Sequence, residues 1–524
     1  MKKMDVQSRL LSLLLVLALL WGFAAPASAA GAAHRDGVSF TQVDNSAVSA
    51  SLLEQEAEEK QELGHASTDL VRVSIVLKKK STLEAGFQAE HMGSNPAAMT
   101  YRGALVKEQA QVQEKIERAT GEKLDVVWNL TVAANLISAN VAYGQIEAIE
   151  RIPEVERVFL ETQYEPDVVQ TDLPADPHMS TSPSMIGSNG AWAAGYTGAG
   201  SRIAIIDTGT DTDHQSFDEG AFRYSLSQQA EAAGMTEEAY LEKLDLLDEA
   251  EIASVLGQLH VNATAKDLYC NAKLPFAFNY VDRSLEVTHD HDTQSEHGSH
   301  VAGIAAANAY IPRGDGTYAK ALDEVLMQGV APDAQIITMK VFGKTGGAYD
   351  SDYMAAIEDA IVLGCDAVNL SLGSGSPGFN RNSDETYQAI LDSLTESGIV
   401  ATMSAGNSGA WMDHSYSPTG HLYAGDVSMT TTGMPGTFAN ALSVASVDNR
   451  GYTGMYLEAG GKLLFYTQTV YGNAPMAALA GEQPYIYMDG VGTPEDFAAL
   501  NGGAQGKIVV CSRGGISFYQ KGDN

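Results

Sequence analysis

Between residues 187 and 449 the chain keeps returning to one pattern: a short apolar run of strand length, then a stretch with helical spacing. Arg202-Ile203-Ala204-Ile205-Ile206 is such a run, and residues 335–341, 367–372, 399–403 and 441–447 are others. Helical patterns over 297–308, 351–364 and 384–397 separate several of them. Runs with no polar alternation need cover on both faces. The pattern therefore predicts an α/β fold, a parallel sheet with helices on both faces. It also predicts where a site belongs, beyond the carboxyl ends of the strands.

The rest of the 524 residues organises around this block. Lys2, Lys3 and Arg9 precede an apolar run over 10–25 and the small-residue pattern Ala27-Ser28-Ala29, so residues 1–29 read as a signal peptide for export. Residues 30–66 are polar and read as a linker. Residues 67–165 carry a βαββαβ pattern: strands over 70–77, 126–130, 136–141 and 155–160, with helices over 103–120 and 143–151. That predicts a small α+β domain of ferredoxin-like type. From 161 the periodicity fades, and 166–186 reads as an exposed linker rich in Pro, Asp and Ser. Inside the α/β block, 217–293 is a long insertion with an acidic, helical middle. From 456 to 524 the alternation stops, and short strands with Gly-rich turns, one of them within 506–511, predict a β-rich domain.

Acidic residues number 66 against 32 basic ones, a formal net charge of −34. A nucleic-acid partner is excluded on this ground, since phosphate binding needs a basic surface. After the leader no segment is apolar enough to cross a bilayer. Cys270, Cys365 and Cys511 are too scattered for a disulfide framework or a metal cluster.

Three polar residues stand where such a sheet would place a site. Asp207 follows the strand that ends at Ile206 and precedes Thr208-Gly209; alone it would be an ordinary turn residue. His297 opens a helix rich in Gly and Ala, including Gly298, Ala302 and Gly303. Small residues let that helix approach the sheet, and put His297 at the crevice. The nearby His289, His291, Glu296 and His300 raise a metal site as a rival, but the helical zinc motif H-E-x-x-H is absent. Asn407, in Ser404-Ala405-Gly406-Asn407-Ser408-Gly409, follows a third strand and can donate to a developing oxyanion. An Asp orienting a His beside an oxyanion donor lacks one part, a nucleophile.

The blocks "AIIDTGTDTDHQSF", "EHGSHVAGIAAA", "GVAPDAQIITMKVF", "DAVNLSLGSGSPG" and "SAGNSG" resemble the successive signatures of the subtilisin-like serine proteases. The resemblance covers about 187–455, the first part of a catalytic domain. Residues 67–165 resemble that family's inhibitory propeptide, with 166–186 as the processing linker. Residues 456–524, with "GKIVVCSRGGISFYQKGDN", look like the start of a protease-associated domain, as inserted in the cell-envelope, lactocepin-like group. The resemblance implies that Asp207 holds the imidazole, His297 is general base and then acid, and Asn407 serves the oxyanion hole. It implies substrate-backbone pairing at Ser371, Leu372 and Gly373, with Gly346, Gly347 and Ala348 on the opposite edge. Gly373 to Gly378 would begin the wall of the primary specificity pocket. It implies protein or peptide substrates, no required cofactor, and the chain's own propeptide as an internal inhibitor.

Two departures stand out. No Gly-Thr-Ser-Met type block is present, and the family order places the nucleophilic serine beyond Asn524. The expectation is a secreted or cell-wall-associated endopeptidase, represented by a segment that is inactive as it stands. The alternative is a non-catalytic binding or adhesion protein on the same fold. Ser216 stands where the family often has a calcium-binding carboxylate, so a structural calcium ion has no support there.

Overall fold

The structure is a computed structural model. It describes residues 65–166, 181–373, 381–406, 432–447, 456–465, 481–512 and 521, apart from positions 90, 91, 93, 94, 293, 295 and 345. The leader 1–29, nearly all of 30–66, much of the 166–186 linker, Asn407 and residues 374–378 lie outside the described residues.

The N-terminal domain has strands β1 (Leu70–Leu77), β2 (Asp125–Leu130), β3 (Leu136–Ala142) and β4 (Val155–Leu160), in the sheet order β2-β3-β1-β4 with antiparallel neighbours. Helix α1 (Pro96–Thr120) crosses one face. It starts seven residues before the sequence pattern places it. Asn95 accepts from the N–H groups of Ala97 and Ala98, Pro96 is pre-set at the first turn, and Gly121 closes the helix at φ 78°. Asn-Pro reads as a turn in sequence, yet it is also how a helix begins. Leu105, Val112 and Ile116 of α1 are buried, and Val112 and Ile116 pack with Val73, Ile75, Ile137 and Ala139.

After β4 the chain runs into β5 (Gln163–Pro166), a strand where the sequence pattern is mute. Short helices Ser182–Ile186 and Ser188–Ala193 then lead into the main sheet. Its strands are β6 (Arg202–Asp207), β7 (Phe276–Asn279), β10 (Gln335–Lys340), β12 (Ala367–Leu370), β14 (Val400–Ser404) and β15 (Leu442–Val444). A hairpin of β8 (Tyr310–Pro312) and β9 (Tyr318–Lys320) and the short strands β11 (Ala348–Tyr349) and β13 (Leu372–Gly373) lie outside it. The order is β15-β14-β12-β6-β10-β7, and every pairing is parallel. Four of these strands follow the sequence reading to within a few residues, and β15 is shorter than expected. β7 is new, because three apolar residues before Asn279 are too few to carry a period. The insertion thus contributes an edge strand, as well as helices α2 (Glu219–Ala232), α3 (Glu237–Leu244) and α4 (Glu249–Val255).

Alternate residues of β6 divide between the two faces. Ile203 and Ile205 meet helix α5 (His297–Ala306) through Ala302 and Ala306. Ala204 and Ile206 share a core with Met354, Ile357 and Ile361 of helix α6 (Asp350–Val362), and with Ile390 and Leu394 of helix α7 (Arg381–Glu396). That same core takes in Trp128, Leu130, Val132, Leu136 and Phe159, so the second face of the N-terminal sheet packs against it. Among the described residues of the C-terminal part there are two small sheets. β16 (Tyr456–Ala459) pairs antiparallel with β17 (Lys462–Phe465), and β18 (Tyr485–Tyr487) pairs parallel with β19 (Ile508–Val510).

Candidate active site

Asp207 is the last residue of β6 and fully buried. A carboxylate survives burial only if donors meet it. Here Oδ1 accepts the N–H of Thr208 at 2.6 Å and faces Nδ1 of His297 at 2.8 Å. Oδ2 is buried with no hydrogen bond among the described residues. The imidazole is mostly enclosed, with 16% of its side-chain surface exposed. With Nδ1–H donating to the carboxylate, Nε2 keeps its lone pair, as a general base requires.

The helix reaches this close because side chains are missing at two points. A Cβ on Gly298 would lie 2.1 Å from the carbonyl oxygen of Gly209, and a Cβ on Gly209 (φ 110°) would lie 2.1 Å from that of Val287. Gly298 instead gives its N–H to Oγ1 of Thr208 at 2.8 Å. The other histidines do not join the pair. Burial, then the charge of His297, lowers the pKa of His300; burial, then Lys340, lowers that of His289; His291 is exposed. Among the described residues no group of His, Cys, Asp or Glu is arranged to hold a metal ion. Ser216 is buried and gives its carbonyl to the N–H of Asn308 at 2.8 Å.

The residues read as substrate-binding flank β5. Leu372 and Gly373 pair antiparallel with Pro166 and Glu165 on one side, and Ala348 and Tyr349 with Tyr164 and Gln163 on the other. β5 therefore lies between β11 and β13 as the middle strand of three. Gly346 adopts φ 104°, Gly347 gives its carbonyl to Gln163, and Ser371 accepts from Asn369 at 3.0 Å. Tyr164 is fully buried with its ring edge-to-face on Tyr353, the centroids 5.5 Å apart.

Sequence reasoning missed two residues that hold these segments together. Gln294 donates to the carbonyls of Gly343 and Gly346, both at 2.9 Å, and so ties the approach to His297 to the approach to β11. Glu358 accepts the N–H groups of Thr131, Val132, Ala133 and Ala134 at 2.7–3.3 Å. No local motif announces either, since each depends on segments far apart in the chain.

A model of the subtilase family matches residues 198–522. The PI-type proteinase of Lactococcus lactis subsp. cremoris is 28% identical over 438 residues, 80% of this chain and 20% of its own. The PII-type proteinase of Lacticaseibacillus paracasei is 29% identical over 433 residues, with the same coverage. The minor extracellular protease Vpr of Bacillus subtilis (strain 168) is 26% identical over 457 residues, 86% of this chain and 45% of its own. The chain thus spans a fifth of the length of the first two and less than half of the third.

Proposed function

Because the chain belongs to the subtilase family, we propose that it acts as part of a secreted, serine-type endopeptidase whose acid–base pair is Asp207 and His297. The observation that carries the reading is the 2.8 Å contact between His297 Nδ1 and Asp207 Oδ1 at the carboxyl end of the central strand. Asp207 fixes the tautomer and stabilises the imidazolium; His297 takes a proton from the attacking hydroxyl and returns it to the leaving amine. The attacking serine has no counterpart in a family-type block within residues 1–524, and these residues alone are expected to be inactive. Asn407 is assigned to the oxyanion, with no required cofactor.

Protein or peptide substrates are proposed to bind as β5 does, as an extended strand between Ala348 and Leu372-Gly373, where main-chain pairing accepts many sequences. The N-terminal domain, 67–165, is then an internal inhibitor, and residues 166–186 the segment cut to release it. Residues 456–524 are assigned to a protease-associated domain. Export follows from the leader pattern, and similarity to an extracellular protease supports it. No helix among the described residues is long and apolar enough to cross a membrane.

Peptide hydrolysis by the product of the whole gene tests the reading. Asp207→Asn should cost roughly 10⁴ in kcat, the loss that the same change causes in other serine peptidases. His297→Ala should cost at least as much. Turnover surviving both changes would move the chemistry elsewhere.

A further inference from the structure

Thr208 is held at three points. Its N–H goes to Asp207 Oδ1 at 2.6 Å, its Oγ1 receives the N–H of Gly298 at 2.8 Å, and its carbonyl receives the ammonium of Lys340. The residue between the carboxylate and the helix of His297 is thus fixed in every direction, and one of the three anchors is a buried cation. Lys340 ends β10 opposite Asp207 in register and is 1% exposed. Its Nζ also meets Oδ2 of Asp292 at 2.6 Å, and that side chain is 5% exposed.

A buried ion pair is a poor route to stability, because desolvation cancels most of the Coulomb gain. An apolar residue would complete β10 as well as Lys340 does, since all of its residues are buried. The pair is explained by where it stands. Asp292 arrives on the loop that closes the insertion, and that loop grips both halves of the site. Val287 accepts the N–H of Thr210 at 2.9 Å. His289 Nε2 lies 3.1 Å from Ser299 Oγ, which accepts the N–H of Asp211 at 2.8 Å.

We propose that the Lys340–Asp292 pair positions Asp207 and His297: Lys340 pins the Thr208 peptide, and Asp292 cancels the ammonium charge so that Asp207 alone sets the proton affinity of the imidazole. This rests on the reading of Asp207 and His297 as the acid–base pair. Among the described titratable and charged groups nearby, β6 supplies Asp207, the turn after it Asp211, β10 Lys340, the loop His289, Asp290 and Asp292, and Glu296 and His300 flank His297 on its own segment. His289 and His300 are both shifted towards the neutral form, burial being the first cause in each. Besides Asp207 itself, Lys340 and Asp292 are the buried charges anchored to Thr208, the residue that ties the carboxylate to the helix of His297.

The test is a titration of the histidine ring signals of the 524-residue chain by NMR, with His297 assigned through His297→Gln. Asp292→Asn leaves the ammonium uncompensated, and the pKa of His297 should fall. Lys340→Met leaves the carboxylate uncompensated, and the pKa should rise. Each shift should be about half a unit or more. A purely structural role would not give opposite signs, so equal signs, or no shift in either, overturns the proposal. Either single change strands a buried charge and risks unfolding. The double variant strands none. It should return the pKa towards its starting value while the low-field Nδ1–H signal broadens or exchanges at least tenfold faster, because Thr208 has lost its anchor. An unchanged Nδ1–H signal in a folded double variant overturns the positioning role. Neither readout needs turnover, so the whole gene's failure to hydrolyse peptides would leave this result standing.

Discussion

Helices α5 and α6 cover opposite faces of the same strand, β6, and are built on opposite principles. α5 is reduced to Gly and Ala where it touches the sheet, and its contacts, Ile205, Ile336 and the turn at Gly209, all belong to the α/β body. α6 is almost wholly buried and carries four buried carboxylates, Asp350, Asp352, Glu358 and Asp359. Most of their donors come from outside that body. Asp350 takes the N–H of Thr162 at 2.6 Å, Asp352 takes Trp128 Nε1 at 2.8 Å and pairs with Arg72, and Glu358 takes the amides of 131–134. Asp359 is served by His260 and Tyr280 from the insertion. One helix is self-sufficient, and the other depends on the N-terminal domain to satisfy its charges. A surface of that kind binds by polar matching as well as by the apolar contacts of Trp128, Leu130 and Phe159, and separation would leave both kinds of group unpartnered.

Three changes would break or sharpen this contrast. The largest effect is expected from Gly298→Ala. Its Cβ would meet backbone at 2.1 Å, where nothing can rotate away, and should destabilise the α/β body by on the order of 3 kcal/mol. Urea unfolding followed by fluorescence would show it, and an unchanged midpoint would mean that α5 does not need its close approach. Next comes Glu358→Gln, which keeps the shape but turns an amide group towards N–H donors. It should weaken docking of the N-terminal domain by about 2 kcal/mol. Hydrogen exchange at residues 131–134 should accelerate while the β6 amides keep their protection. Equal acceleration in both regions would show that the two parts are not separable.

The smallest effect is a drift with pH. Burial raises the pKa of Glu161, which three serine hydroxyls (Ser74, Ser138 and Ser351) only partly offset, and burial likewise raises that of Asp352. His260 is buried, which by itself disfavours its charged form, but Asp359 and Glu358 more than reverse this and raise its pKa. Glu161 and Asp352 therefore hold protons more tightly in the docked state, whereas the carboxylates that raise His260 stay beside it on the α/β side whether or not the domain is docked. Each of the two carboxyl contributions is therefore complete below the group's ordinary pKa and lost as pH rises through the raised one. Exchange at 131–134, corrected for its intrinsic pH dependence, should accelerate as pH rises above the ordinary carboxylate range and through the raised pKa values of Glu161 and Asp352. Tighter docking at alkaline pH would contradict it.

The two helices also mark what a sequence can disclose. His297 and its Gly-Ala helix were legible because the pattern is local: a residue and the small neighbours that let it approach. Asp207 was legible as a strand ending in a carboxylate before Thr208-Gly209. The N-terminal domain was legible in its βαββαβ order, and the main sheet in its apolar runs, apart from β7. β5 was not, because its partners at Ala348 and Leu372 lie far along the chain and nothing in Gln163-Tyr164-Glu165-Pro166 alternates. Glu358 reads as one more polar residue on a helix until the turn at 131–134 is brought to it. Lys340 reads as the end of a strand until Asp292 folds back over it.

Sheet order carries a consequence in time. The central strand β6 has neighbours that come late in the chain: Arg202 pairs with Gln335 and Ile203 with Ala367, so its ladder waits on long loop closures. The N-terminal sheet closes over much shorter spans, Leu70 pairing with Ala142 and Leu130 with Leu136. It should assemble first, with β5 trailing from its last strand, while β11 and β13 are still unformed. The middle strand of the three would then be present before the two that flank it, and they would set around it like a casting around its pattern.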